Sequence, residues 1–291
     1  MSNGPGDKSA VSTVHPGLWL VATPIGNLED IAPRAGHVLR TASMILCEDT
    51  RHSGSLLKRL GVSGARLVVA NDHTEHDAAA VMLGALASGA VVAVITDAGS
   101  PGVSDPGERL VRAAVEAGHP VHAVPGPAAF VMAATVSGLP TQRIAFDGFL
   151  PRGGAERRNA VTEVVHERRT TVIYEAPHRL VRTIEDLRDA CGDGRRVAIA
   201  RELTKMHETV WRGTLAEAVV FVNSAEPRGE YAIVVEPAPS GADGAEVTDE
   251  SIAEELRSRV AAGVSKRDAV DEVTTALGVP RKRVYAISVG L

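Results

Sequence analysis

Apolar residues in this chain fall into short, nearly continuous runs separated by stretches with helical spacing. LWLVATPI (18–25), SMILC (43–47), RLVVA (66–70), VVAVIT (91–96) and VHAVP (121–125) have strand length. Between them, at about 30–41, 51–60, 76–88 and 105–117, apolar positions recur every three to four residues, as on a helix. Continuous apolar strands alternating with helices predict a mostly parallel sheet covered on both faces. A helix-like stretch, 128–138, leads into a second series. Strands are predicted at 144–149, 171–175, 196–201 and 231–235, and helices at 155–168, 178–190 and 214–223. Residues 207–213 read as a hairpin or extended piece. EPAPSGADGAE (236–246) has no periodicity and reads as a linker. Helical patterns close the chain at 249–261, 265–277 and 280–288.

The fold class is therefore α/β, with two α/β domains and a small C-terminal helical domain. The expected divisions are a disordered tail at 1–16, α/β domains at 17–126 and 127–238, a linker at 239–248 and helices at 249–291. SKRDAVDEVTTALGVPRKRVY resembles a helix-turn-helix, with Arg281, Lys282 and Arg283 opening its last helix. A helical cap that only packs on the body or on a second subunit is the equal alternative.

The strand 91–96 ends at Asp97, and Gly99, Pro101, Gly102, Pro106 and Gly107 follow before the next helix. Loops at the carboxyl ends of parallel strands are where open α/β sheets bind ligands. Glycines let backbone approach a flat ligand closely, and Asp97 can accept hydrogen bonds from an amine or ribose hydroxyl. An ordinary strand-to-helix turn is the competing reading, but such turns rarely gather so many glycines and prolines.

Four more polar loops follow strands. VATPIGNLED (21–30) carries Thr23, Pro24 and Gly26, and CEDTRHS (47–53) carries Glu48, Asp49, Arg51 and His52. NDHTEHD (71–77) carries His73 and His76 among acids, and YEAPHRL (174–180) carries Glu175, His178 and Arg179. Each has a plainer reading as a helix-capping turn, the carboxylates above all. His73 and His76 are three apart and do not form the four-residue pair of a helical zinc motif, so no metal is expected. No G-x-G-x-x-G, Walker loop or nucleophile elbow is present.

The chain has 291 residues, enough for two modest domains with real cores, and no apolar run of bilayer length. Cys47 and Cys191 read as buried free thiols of a cytoplasmic protein. A net charge of −5 argues against a protein that coats nucleic acid nonspecifically. Local basic clusters remain at 34–59 and 151–169. Aromatic residues make up only 3% of the chain, too few to predict a stacking platform for bases.

VATPIGNLEDI, CEDTR, DAGSPGVSDPG, PGPAA, YEAPHR and ARELTKMHE, in this order, resemble the tetrapyrrole-methylase superfamily of S-adenosylmethionine methyltransferases, and within it a ribosomal branch. The resemblance covers about residues 17–236. It implies two α/β domains with S-adenosylmethionine in the cleft between them, and a homodimer. It implies methylation of the ribose 2′-oxygen of a cytidine in 16S rRNA of the small (30S) subunit. It also implies cofactor contacts from Pro24, Asp97, Ala98, Gly99, Val103, Ala128, Tyr174 and Leu203. Porphyrin members usually carry a glycine-rich loop after the first strand, where this chain has TPIGN.

A ribose hydroxyl is a weak acid, so a positioned base should help, and Glu48, Asp49 and His73 are the candidates. Arg51, Arg152, Arg157, Arg158 and Arg179 are candidates for phosphate contacts. A small-molecule methyltransferase of tetrapyrrole type and a non-catalytic cofactor-binding module are the alternatives.

Overall fold

The computed structural model describes residues 13–71, 74–239, 248–261, 264–277 and 279–290. Two compact units emerge: the chain to Val164 together with Arg169–Glu236, and Val165–Arg168 together with Pro237 onward. The larger unit opens with β1 (Gly17–Val21), α1 (Pro33–Thr41), β2 (Met44–Cys47), α2 (Thr50–Arg59) and β3 (Arg66–Val69). It continues with α3 (Glu75–Ala87), β4 (Val91–Val94), α4 (Glu108–Glu116), β5 (Val121–Val124) and α5 (Ala129–Ser137). A second series follows: β6 (Ile144–Phe149), α6 (Gly154–His166), β7 (Thr170–Glu175), α7 (Pro177–Cys191) and β8 (Arg196–Arg201). It ends with β9 (Thr209–Thr214), α8 (Leu215–Asn223) and β10 (Tyr231–Val235).

The first sheet has the order β3-β2-β4-β1-β5, and every pairing in it is parallel. Its central strands are buried on both faces, which is why they read as unbroken apolar runs. Val38 and Leu39 of α1 and Leu57 of α2 pack on one face. Met82 and Leu86 of α3 and Leu110 of α4 pack on the other. β1 and β4 are neighbours whose following helices leave to opposite faces. That divergence opens a crevice beyond their carboxyl ends, the position where such sheets hold ligands.

The second sheet has the order β6-β7-β10-β8-β9. β6 and β7 are parallel, and the other pairings are antiparallel. The extended piece predicted at 207–213 is the edge strand β9. Helices α6, α7 and α8 cover one face of this sheet. The other face packs against α5, and also against Ile25 from the loop after β1 and Leu203. The two sheets have separate cores but belong to one compact unit.

Of the predicted tail, residues 1–12 lie outside the described residues. Val14 packs on the core, and the His15 carbonyl accepts a bond from Trp19 Nε1 at 3.0 Å. Most of the predicted linker, 240–247, also lies outside them. Both cysteines are free, and burial raises both thiol pKa values. Among the described residues no helix is long and apolar enough to cross a membrane.

The smaller unit holds α9 (Asp249–Ala261), α10 (Lys266–Leu277) and α11 (Arg281–Val289). They share a core of Ile252, Leu256, Val270, Val273 and Val284. Two arginines of the basic run face acids within this unit: Arg281 pairs with Asp271 at 2.5 Å, and Arg283 with Asp249 at 2.8 Å. Among the described residues Lys282 of the three carries no such pair, so the run is a weaker phosphate site than its composition implies.

Candidate active site

The site is built from loops that leave the carboxyl ends of β1 and β4. Thr96, 2% exposed, is the last buried residue of the β4 run, and Asp97 is the first carboxylate after it. The loops are tied to each other. Thr23 N donates to the Gly99 carbonyl at 2.8 Å, and Gly99 N donates to that of Thr23 at 3.1 Å. Thr23 Oγ1 also donates to the Thr96 carbonyl at 3.0 Å. Gly99 has φ +82°, a conformation that side-chain-bearing residues rarely adopt.

Further along, Gly102 N donates to the Pro106 carbonyl at 3.0 Å and closes the proline-glycine loop on itself. A Cβ on Gly107 would stand 2.9 Å from Gly102 N, so that closure requires glycine. Glu75, 5% exposed, accepts from Gly107 N at 2.8 Å and satisfies a donor at the start of α4, which has no side-chain cap. The loop is thereby fixed to α3.

Ser104 (φ 61°), Glu202 (φ 51°) and Thr204 (φ 66°) are the non-glycine residues with positive φ among those described. Ser104 and Leu203, which stands between the other two, wall the same cavity. Strain concentrated in this way marks functional loops. The 202–205 loop meets the loop after β1, where a Cβ on Gly26 would fall 2.4 Å from Lys205 Cγ. Thr204 Oγ1 accepts from Asn27 N at 3.1 Å.

Between these loops lies a cavity of about 340 Å³. Of the residues expected to touch a cofactor, Ala98, Gly99, Val103, Ala128, Tyr174 and Leu203 line it. Pro24 and Asp97 do not. Pro24 is buried in its loop, and Asp97 keeps a buried Oδ1 that has no partner among the described residues. The walls are largely apolar. Tyr174 accepts from Phe130 N at 2.8 Å, holding the first turn of α5 against the cavity. Burial pushes its hydroxyl up to about 12, so it is a neutral hydrogen-bonding group at physiological pH. Phe130 and Phe149 also line the cavity, and no motif in the sequence announces them.

The predicted base and phosphate residues divide. Asp49 caps α2, accepting from Arg51 N at 2.8 Å and pairing with Arg51 Nη2 at 2.9 Å. Hydrogen bonds from the Arg51 side chain and backbone hold its carboxyl down at about 2, so it is a poor proton acceptor. Glu48 is half-buried at the end of β2. His73 lies outside the described residues. Arg51, Arg152 and Arg158 are exposed.

Arg157 is not a surface arginine: it is 3% exposed, pairs with Asp186 at 2.7 Å and donates to Thr183 Oγ1 at 2.8 Å. Arg179 pairs with Glu175 at 3.2 Å and donates to the Leu150 carbonyl at 2.5 Å. Both are engaged inside the protein and are withdrawn from the phosphate-contact set. Among the described residues, no three His, Cys, Asp or Glu side chains stand together as a metal site.

These residues suit S-adenosylmethionine. Asp97 Oδ1, next to the cavity wall, lacks a donor, and an amine or ribose hydroxyl is the kind of group it could accept from. Backbone at Gly99 permits close approach, and the apolar walls at Val103 and Leu203 suit a flat base and a thioether-like chain.

Tetrapyrrole (corrin/porphyrin) methylases match residues 17–219 as a family. Ribosomal RNA small subunit methyltransferase I of Synechocystis is 40% identical over 94% of this chain and 98% of its own length. The protein of that name from Xylella fastidiosa is 43% identical over 92% of this chain and 97% of its own. Among solved structures, uroporphyrin-III C-methyl transferase from Thermus thermophilus, complexed with S-adenyl homocysteine, aligns with a TM-score of 0.54 at 20% identity. It covers 76% of this chain and 97% of that one, and the likeness speaks for the fold. The chain belongs to the tetrapyrrole methylase family, within the branch whose curated members are named ribosomal RNA small subunit methyltransferase I.

Proposed function

We propose that this chain is an S-adenosylmethionine-dependent methyltransferase acting on the ribose 2′-oxygen of a cytidine in 16S rRNA of the small subunit. It works in the cytoplasm as a homodimer. The observation that carries the reading is the cavity beyond β1 and β4, walled by the loops that carry the family's motifs. The relatives' names supply the substrate class. When bound, the cofactor supplies an electrophilic methyl group on sulfur, so the protein's work is alignment of the acceptor oxygen. The Ala98–Gly99 backbone holds the cofactor, Asp97 stands behind that wall and would meet it only through its unpartnered Oδ1, and Tyr174 keeps the start of α5 in place beside it. Glu48 and His73 are the candidates to take the hydroxyl proton, and Arg51, Arg152 and Arg158 meet phosphates.

Methyl transfer decides the substrate. Tritiated methyl groups are expected in the rRNA of 30S subunits, at a ribose of cytidine after nuclease digestion, and not in uroporphyrinogen. Label in the porphyrin alone overturns the reading.

The role of Asp49 is checked separately. Asparagine caps helices as well as aspartate, so Asp49→Asn should keep turnover within about twofold of the parent. A loss of about a hundredfold, the scale of a general base, would restore Asp49 to that role.

A further inference from the structure

The chain has only nine aromatic residues, and four of them form one ladder beside the cavity. Phe130 stacks on Phe146 with centroids 4.6 Å apart, and Phe146 meets Tyr174 edge-on at 4.8 Å. Tyr174 in turn meets Phe149 edge-on at 5.7 Å. Phe149 is the outer rung. It lines the cavity, yet 53% of it is exposed. β6 brings it opposite Tyr174 through the β6–β7 pairing.

The chain just beyond this ring is firmly held. Arg179 Nη2 donates to the carbonyls of Leu150 and Pro151 at 2.5 and 3.3 Å, and Arg157 Nη1 donates to that of Pro151 at 3.2 Å. The next residue, Arg152, is exposed, and its carbonyl accepts from Arg182, whose side chain is 61% exposed. A fixed, half-bare aromatic ring thus stands at the cavity mouth, with exposed Arg152 on the adjoining chain and exposed Arg182 of α7 bonded to it, the latter also 3.8 Å from Asp186.

We infer that Phe149 is a stacking surface for a base of the RNA substrate, the target nucleotide's own base, and that Arg152 and Arg182 meet the flanking phosphates. The inference rests on the function proposed above. A ribose hydroxyl that receives the methyl group must point into the cavity, which leaves its base beside the mouth rather than inside. Unpaired bases are typically held on aromatic rings, because every base has a π face. A base turned out of its stack loses its neighbours, and a ring waiting at the pocket replaces one of them. The positive charge beside the ring suits the phosphates that flank that base.

The experiment uses the full chain with Phe149→Ala, Phe149→Leu and Phe149→Trp. Phe149→Ala should raise KM for 30S subunits about tenfold, the scale of one lost base stack, with kcat near the parent value. Calorimetry should give the same S-adenosylmethionine Kd for it as for the parent. Phe149→Trp should restore KM and Phe149→Leu should not, since an apolar side chain of similar bulk cannot stack. The new indole of Phe149→Trp should lose emission when a fragment of 16S rRNA is added. Leucine behaving like phenylalanine would overturn the inference. So would weakened cofactor binding in Phe149→Ala with KM for subunits unchanged, because the ring would then stack on the cofactor's own base. Failure of the parent protein to methylate 30S subunits would instead overturn the proposed function itself.

Discussion

Asp97→Ala is expected to weaken S-adenosylmethionine binding by about one to two orders of magnitude without lowering the melting temperature. The two halves of this result have one cause. Asp97 Oδ1 is buried and accepts no hydrogen bond among the described residues. A buried carboxylate oxygen without a donor has lost its water and gained nothing in return. A ligand amine or hydroxyl that reaches it restores a charge-assisted bond, worth about 1.5–3 kcal/mol, or roughly 10- to 150-fold in affinity. Removing the side chain removes that gain. It also removes an unfavourable buried group from the ligand-free protein, so stability should hold or rise, as is common where a site is built at the expense of the fold. Calorimetric titration measures the first half and differential scanning calorimetry the second. Parent-like affinity in a folded Asp97→Ala protein would take Asp97 out of the site.

The elements themselves were legible in the chain. β1, β2 and β4 are short, nearly continuous apolar runs, and Gly61, Gly89 and Gly118 stop α2, α3 and α4. The Thr23–Gly99 bridge sets TPIGN beside DAGSPG, because the two loops leave neighbouring strands of one parallel sheet. Strand order in the second sheet was not legible. β10, last in sequence, inserts antiparallel between β7 and β8, and no local pattern encodes that choice of partner.

The aromatic ladder escaped for the same reason. At 3% of the chain, aromatics gave no compositional signal, and the register of β6 on β7 is what gathers them. A count of charges over 151–169 offers Arg157 as a phosphate contact, although the sequence carries a contrary signal. Arg157, Val161 and Val164 recur at helical spacing and are the buried positions of α6, whereas Arg158 falls on the exposed side. Charge counts cannot separate an arginine that anchors a core from one that waits for a phosphate; its helical phase can.

That distinction has a large expected consequence. Arg157→Ala should cost about 3–5 kcal/mol, the range for breaking one side of a buried ion pair, while Arg158→Ala should stay within about 0.5 kcal/mol. Arg157 is 3% exposed and holds three acceptors: Asp186 Oδ2 at 2.7 Å, Thr183 Oγ1 at 2.8 Å and the Pro151 carbonyl at 3.2 Å. Thr183 Oγ1 in turn donates to Glu175 Oε2 at 2.6 Å, and Glu175 Oε1 accepts from Ala176 N at 2.9 Å. Cutting Arg157 therefore disturbs the end of β7, the first turn of α7 and the 150–152 segment together. Asp186 is 36% exposed and can regain water, which favours the lower end of the range. In a chain of this size about 3 kcal/mol lowers the melting temperature by roughly 6–12 °C. Arg157→Lys should rescue little of it, because a single ammonium on a flexible stem cannot replace a planar fork aimed at three acceptors. Below its melting temperature the alanine protein should also methylate 30S subunits less efficiently, since the segment that fixes Phe149 has lost one of its anchors. Scanning calorimetry on the two alanine variants separates the possibilities: equal melting temperatures for Arg157→Ala and Arg158→Ala would show that Arg157 anchors nothing.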